Sequence, residues 1–226
     1  MATLYMVATP IGNLEDITVR AVRILGEVDA IACEDTRHTL KLLNHLALHK
    51  PLLSCHAYEE EKGAARILGL LSEGKNVAFC SDAGTPCLSD PGVLAAARAR
   101  DAGHDVVPLP GPSAFAALVS AAGIFHKTVT FDGFPSPKPG RRRSRVAELM
   151  ARGEAFVMYE SPHRVVRLLE DIAGVDPERQ VCVGREMTKL HEEFIRGAAA
   201  WVRDDLAGRP EVRGELAVLV SGGKKA

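Results

Sequence analysis

Short, uninterrupted apolar runs separated by segments of helical period constrain this chain more than any other feature. Leu4-Tyr5-Met6-Val7-Ala8 is a compact strand candidate, closed by the turn-forming Thr9-Pro10-Ile11-Gly12-Asn13. The next segment places Ile17, Ala21, Ile24 or Leu25, and Val28 on one helical face, with Asp16 or Thr18 available as a cap. The pattern repeats with strand Ala30–Cys33, a helix carrying Leu40, Leu43 and Leu46, strand Leu52–Cys55 and a helix from about Glu59 to Ser72. Strand Asn76–Cys80, a helix over Val93–Ala102 and strand Asp105–Pro108 follow. Strands that do not alternate apolar with polar residues are buried on both faces, so this half predicts an α/β fold with a mostly parallel sheet. In such sheets ligands bind in the loops that leave the carboxyl ends of the strands.

Beyond Pro110-Gly111-Pro112 the rhythm changes. A small-residue helix over Ser113–Gly123 leads to Val129-Thr130-Phe131 and then to a proline-rich, basic segment, Phe134–Arg145, expected to be a loop. Strand Ala155–Tyr159, a helix over Arg164–Ile172, strand Gln180–Val183 and a terminal strand Glu215–Val220 complete the chain. The closer spacing of these strands predicts antiparallel pairs in a mixed sheet. The expected division is two α/β domains, 1–112 and 113–226. No repeat or low-complexity linker separates them.

Net charge is −1, but it is unevenly spread: residues 1–112 hold 10 basic and 14 acidic side chains, and residues 113–226 hold 18 and 15. The second half is therefore the one to face an anion. The cysteines, Cys33, Cys55, Cys80, Cys87 and Cys182, show no metal-like spacing and read as buried, reduced thiols. No basic leader precedes the first strand, and no apolar stretch approaches the roughly 20 residues of a membrane span, so a cytoplasmic protein is expected.

Four loops carry the polar chemistry. The first, Ala8–Asn13, has neither the glycine pattern of a dinucleotide fold nor that of a P-loop, and taken alone it is equally an ordinary strand–helix turn. Ser81-Asp82-Ala83-Gly84-Thr85-Pro86-Cys87-Leu88-Ser89-Asp90-Pro91-Gly92 holds far more turn chemistry than a simple connection requires. Leu109–Ala114 opens a helix with small residues. Glu34-Asp35-Thr36-Arg37-His38-Thr39 gathers carboxylates, a guanidinium, an imidazole and hydroxyls at one strand end, either as a helix cap with solvated neighbours or as a surface that orients a hydroxyl-bearing, anionic substrate.

Together these loops resemble the tetrapyrrole methylase family, the class III S-adenosylmethionine-dependent methyltransferases, and within it the branch that 2′-O-methylates a decoding-centre cytidine of 16S rRNA. The segments that carry the resemblance are ATPIGNLEDIT (8–18), CEDTRHT (33–39), SDAGTPCLSDPG (81–92), PLPGPSA (108–114), FDGFPSPKPGRRR (131–143), YESPHR (159–164), GREMTKLHEE (184–193) and GELAVLV (214–220). The resemblance implies S-adenosylmethionine as cofactor, with S-adenosylhomocysteine as product and no metal. It further implies a cofactor site in the cleft between two α/β domains, a homodimer, and 16S rRNA, within the 30S subunit, as partner. Carried onto this chain, the cofactor residues are Pro10, Ile11, Asp82, Thr85, Ser113 and Ala114, with Tyr159, Arg185 and Ala217 in the second domain.

A ribose 2′-hydroxyl is a poor acid, so a base or a cation near its oxygen is needed. Asp35, Arg37 and Glu186 are the expected catalytic residues. Glu34, His38 and Lys189 are expected to contact substrate. Lys138, Arg141, Arg142 and Arg143, with Arg145 in the same eight residues, are expected to contact RNA phosphates. Glu59-Glu60-Glu61-Lys62 reads as a solvated helix start, and Trp201 as packing on the last helix. The sequence ends at Gly222-Gly223-Lys224-Lys225-Ala226, soon after the last strand, where many family members continue; weaker RNA binding is expected if that extension holds RNA. A tetrapyrrole methyltransferase and a non-catalytic ribosome-binding protein remain the alternatives.

Overall fold

The computed structural model describes residues 1–223, so Lys224 and Lys225 lie outside the described residues. The chain forms two compact units, Met1–Ser113 and Ala114–Ala226.

Unit 1 alternates strand and helix throughout: β1 (Thr3–Val7), α1 (Val19–Glu27), β2 (Ala30–Cys33), α2 (Thr36–His45), β3 (Leu52–Ser54), α3 (Glu60–Ser72), β4 (Val77–Cys80), α4 (Val93–Asp101) and β5 (Asp105–Leu109). Its sheet is parallel in every pairing, in the order β3-β2-β4-β1-β5. Alternate strand residues serve opposite faces. Val77 and Phe79 pack with Ile67 and Leu71 of α3 and Ala95 and Ala99 of α4. Ala78 and Cys80 pack with Ala21, Ile24 and Leu25 of α1 and Leu43 of α2. Both faces are thus covered, which is why β2 and β4 read as continuous apolar runs. Thr18 caps α1, its hydroxyl accepting the Ala21 N–H at 3.1 Å. From β1 the chain crosses toward β2 on one side, and from β4 toward β5 on the other. The adjacent carboxyl ends of β1 and β4 therefore flank a topological switch point, where open α/β sheets form their crevice.

Unit 2 contains α5 (Ala114–Ala121), β6 (Val129–Gly133), α6 (Pro139–Ala151), β7 (Ala155–Glu160), α7 (Val165–Val175), β8 (Gln180–Arg185), β9 (Glu193–Ala198), α8 (Ala199–Ala207) and β10 (Leu216–Val220). The sheet order is β6-β7-β10-β8-β9; β6 runs parallel to β7 and the other pairs are antiparallel, so the sheet is mixed. Its core packs α6, α7 and α8 around Phe156, Met158, Val183 and Val218.

The structure departs from the sequence reading in several places. Strand β9 is absent from that reading, because its outward positions, Phe194 and Arg196, leave only Ile195 fully buried. The basic segment is not a loop beyond Lys138: Pro139 occupies the first turn of α6, where its missing N–H costs nothing. Arg142 lies one turn before Val146 and two before Leu149 and Met150, on the inward stripe, and is 4% exposed. Its guanidinium pairs with Asp171 of α7 at 2.5 Å. Arg142 is accordingly an internal ion-pair partner and not an RNA contact. Cys87 is exposed, whereas Cys33, Cys55, Cys80 and Cys182 are buried. Trp201 is 55% exposed. One face of its ring lies over Gly197, where an added Cβ would meet its Cε3 at 2.8 Å.

Candidate functional site

Three loops meet at the switch point of unit 1. After β1, Thr9 pairs with Gly84 of the loop after β4: the N–H of each donates to the other's carbonyl at 2.9 Å. The Thr9 hydroxyl donates to the Ser81 carbonyl at 2.9 Å, and that of Thr85 to the Pro112 carbonyl at 3.1 Å. Gly84 adopts a φ of +83°, and its Cα faces Ile11 and Pro112 so closely that a Cβ would touch both. A left-handed backbone at a three-loop contact is the reason a glycine stands there.

The loop after β2 joins the same assembly. The Asp35 N–H donates to Oδ1 of Asp82 at 3.0 Å, and the Asp35 carboxylate caps α2 by accepting the Arg37 N–H at 2.8 Å. Arg37 returns two guanidinium bonds to the same carboxylate, at 3.1 and 2.8 Å. Thr9, Pro10, Leu14, His38, Thr39, Leu42, Ser81 and Asp82 line an open depression beside these contacts. Glu34, Asp35, Arg37, His38 and Asp82 are thus brought together by the ends of β2 and β4. Pro10 and Ile11 are buried and Thr85 is engaged with Pro112, so these three shape the loops, and of them Pro10 also borders the depression.

Electrostatics separates the carboxylates. The hydrogen bonds from Arg37 hold Asp35 far below the usual carboxylate range, so it is a poor proton acceptor. Burial, then the charge of Asp82, pushes Glu34 up. Burial, then the charges of Glu34 and Asp82, pushes Asp90 up to about 6. Glu34 and Asp90 thus share an acidic cluster with Asp82, whose charge acts on both. Of the carboxylates in the CEDTRHT loop, Glu34 is pushed toward the proton-accepting range and Asp35 away from it. Sequence alone did not single out Asp90, since its role depends on the fold of a loop in which Cys87 and Ser89 both have positive φ. Nor is the acidic helix start merely solvated. Glu60 reaches α4 and accepts the N–H groups of Gly92 and Leu94 at 3.0 and 3.3 Å, while Glu59 pairs with Lys62 and Glu61 with Arg98.

In unit 2 the expected residues fall into two groups. Tyr159 sits in an aromatic cluster, and its hydroxyl accepts the Phe115 N–H at 2.9 Å, close to Ala114 at the start of α5. Ser113 is the last residue of unit 1. Arg185, Glu186 and Lys189 belong to ion-pair networks around the β8–β9 turn. Arg185 donates to Glu193 at 2.9 Å, and Lys189 bridges Glu186 and Glu215 at 2.8 and 3.0 Å. Hydrogen bonding to Lys189, with the Glu215 N–H, lowers the Glu186 pKa. Ala217 is 1% exposed in the central strand, between Tyr159 and Gly184, and offers a ligand no accessible surface. Lys138, Arg141 and Arg143 are exposed and make no ion pair among the described residues, whereas Arg145 is held by Asp132 and Glu148.

Among the described residues no group of three or more His, Cys, Asp or Glu is placed to hold a metal ion, and no helix is long and apolar enough to cross a membrane.

Comparison with known proteins agrees with this architecture. Residues 3–201 match the family described as Tetrapyrrole (Corrin/Porphyrin) Methylases. The chain is 46% identical over 219 residues to the ribosomal RNA small subunit methyltransferase I of Borrelia garinii subsp. bavariensis, covering 96% of this chain and 98% of that one. It is 44% identical to the protein of the same name from Escherichia coli O157:H7, covering 98% and 78%, and 41% identical to that of Bacillus subtilis, covering 98% and 76%. A solved cobalamin biosynthetic enzyme, cobalt precorrin-4 methyltransferase, shares the fold with a TM-score of 0.70 at 17% identity, covering 97% of this chain and 94% of that one. A parallel-sheet unit with its loops joined at the switch point, a mixed-sheet unit, and a family match across most of the sequence place this chain in the tetrapyrrole methylase family.

Proposed function

We propose that this protein is an S-adenosylmethionine-dependent methyltransferase that modifies the 2′-oxygen of a cytidine in the decoding region of 16S rRNA. The observation that carries the reading is identity of 41–46% along nearly the whole chain to proteins named for small-subunit ribosomal RNA methylation. S-adenosylmethionine, when bound, supplies an electrophilic methyl group on a cationic sulfonium. The residues present fit such a group: Glu34, Asp82 and Asp90 crowd negative charge that a cation relieves, and the depression beside them has an apolar border of Pro10, Leu14 and Leu42. Asp82, with the loops of Pro10, Ile11 and Thr85, holds the cofactor. Ser113, Ala114, Tyr159 and Arg185 remain proposed contributors.

Glu34 accepts the proton of the 2′-hydroxyl, because its raised pKa makes it more basic than Asp35. General-base assistance of this kind contributes typically 10²–10⁴-fold. Arg37, fixed by Asp35, presents a cation to the developing negative charge on that oxygen. His38 contacts the ribose or its phosphate from the rim of the depression. Glu186 and Lys189 hold the β8–β9 turn in shape. Lys138, Arg141 and Arg143 contact RNA phosphates.

The deciding experiment is transfer of a labelled methyl group from S-adenosylmethionine to 30S subunits that lack the modification, followed by mapping of the modified nucleotide. Label on a cytidine 2′-oxygen is expected. Label on a base nitrogen or carbon, or on a tetrapyrrole only, overturns the assignment. Failure to bind S-adenosylmethionine in a calorimeter assigns the chain to the non-catalytic alternative. Light scattering tests the homodimer, and comparison of free 16S rRNA with 30S subunits tests the assembled particle as substrate. Fractionation tests the cytoplasmic location.

A further inference from the structure

Aromatic residues are scarce in this chain, with seven phenylalanines, three tyrosines and one tryptophan. Four of these eleven rings nevertheless touch one another in unit 2, outside its buried core. Phe131 meets Phe115 and Tyr159 edge-to-face, with centroids 5.4 and 4.8 Å apart, and Phe134 meets Tyr159 at 5.6 Å with an interplanar angle of 68°. The Tyr159 hydroxyl is tied to the Phe115 N–H, so the support beneath Phe134 is fixed at both ends of the tyrosine ring. Phe134 itself is 57% exposed.

An exposed phenylalanine is ordinary, but one seated on a rigid aromatic cluster at the entrance to a cationic helix is not. Phe134 is followed by Pro135, Ser136 and Pro137, which restrict the backbone, and then by the exposed cations Lys138, Arg141 and Arg143. A flat apolar ring followed within nine residues by three exposed cations with no ion pair among the described residues matches one ligand chemistry: a nucleobase whose backbone phosphates lie alongside. An apolar peptide would match the ring and leave the cations without partners.

We propose that Phe134 is a stacking platform for an unpaired base of the RNA substrate, with Lys138, Arg141 and Arg143 holding the adjoining phosphates. This rests on the reading that the substrate is RNA, and assigns to Phe134 a role separate from cofactor binding and proton transfer. Stacking is sequence-tolerant and contributes about 1–3 kcal/mol per base, so removing the ring weakens binding by roughly five- to 140-fold.

The test is fluorescence anisotropy of the full-length protein with an end-labelled single-stranded RNA dodecamer at several salt concentrations. Phe134→Ala is expected to weaken binding by that factor with the salt slope unchanged. Phe134→Trp should restore affinity, and the added indole should be quenched by RNA. Arg141→Glu with Arg143→Glu should lower both affinity and slope. Equal binding by wild type and Phe134→Ala, or an unquenched indole, overturns the platform, while methyl transfer by the wild type leaves the enzymatic reading intact. Conversely, Phe134-dependent RNA binding without methyl transfer to 30S subunits retains the platform and removes the enzymatic reading.

Discussion

The backbone N–H of Asp35 donates to Oδ1 of Asp82 at 3.0 Å, so the loop leaving β2 is anchored to the side chain that borders the depression after β4. One carboxylate thus orders a neighbouring loop and contributes negative charge to the site. The two roles separate by substitution. Asp82→Asn keeps an acceptor for Asp35 but removes the charge; it is expected to weaken S-adenosylmethionine binding by about tenfold, with little change in stability. Asp82→Ala removes both and should cost about 1 kcal/mol in addition. Calorimetric titration and urea unfolding of both variants check this.

Glu34 and Asp35 are neighbours with opposite electrostatic fates. Glu34→Gln is expected to lower kcat by about 10²–10⁴-fold without changing cofactor affinity. Asp35→Asn, which releases Arg37 from its fixed position, should lower kcat more than it changes the KM for RNA. Single-turnover methyl transfer measures both, and a Glu34→Gln enzyme with wild-type kcat would place the base elsewhere.

Asp90 makes stability depend on pH. Its folded pKa of about 6 exceeds the ordinary 3.8, so the folded state binds the proton more tightly than the unfolded chain. The stabilisation is complete below about pH 4 and is lost as pH rises through 6. Relative to Asp90→Asn, the wild type should lose on the order of 2 kcal/mol between pH 4 and 7. Urea unfolding of both proteins across that range measures the difference.

Arg141 and Arg142 are adjacent in sequence and opposite in environment. Arg142→Ala strands Asp171 without its partner and is expected to cost about 3–5 kcal/mol. Arg141→Ala should leave stability within about 0.5 kcal/mol and weaken RNA binding. Denaturation and RNA titration of the pair give the contrast.

Glu60 caps α4 from α3, because Gly92 brings no side chain of its own to the cap. Glu60→Ala is expected to cost about 1 kcal/mol, and Glu60→Gln less, since an amide oxygen still accepts. Hydrogen exchange at Gly92 and Leu94 should accelerate in the alanine variant.

Much of the fold is legible because local chemistry and tertiary role coincide. Val77–Cys80 and Ala30–Cys33 are apolar without alternation, and only a strand covered on both faces accommodates that. Strand β9 is hidden because an edge strand with one buried position, Ile195, carries no such signal. The four polar loops that meet or flank the switch point are visible as turn-rich segments at strand ends. Which carboxylate is basic is not, since Glu34 and Asp35 differ through Arg37, Asp82 and burial.

By itself, then, the sequence determined the two α/β units, the parallel character of the first and the turn-rich loops at its strand ends, because periodicity and turn residues are local properties. Tertiary structure decided which charges remain available. Arg142 is consumed by Asp171, Lys189 by Glu186 and Glu215, and Glu60 by the start of α4, while Lys138, Arg141 and Arg143 stay exposed. The physical reason is that a charge acquires its role from what faces it across the fold, and partners distant in sequence leave no mark on the residues beside it.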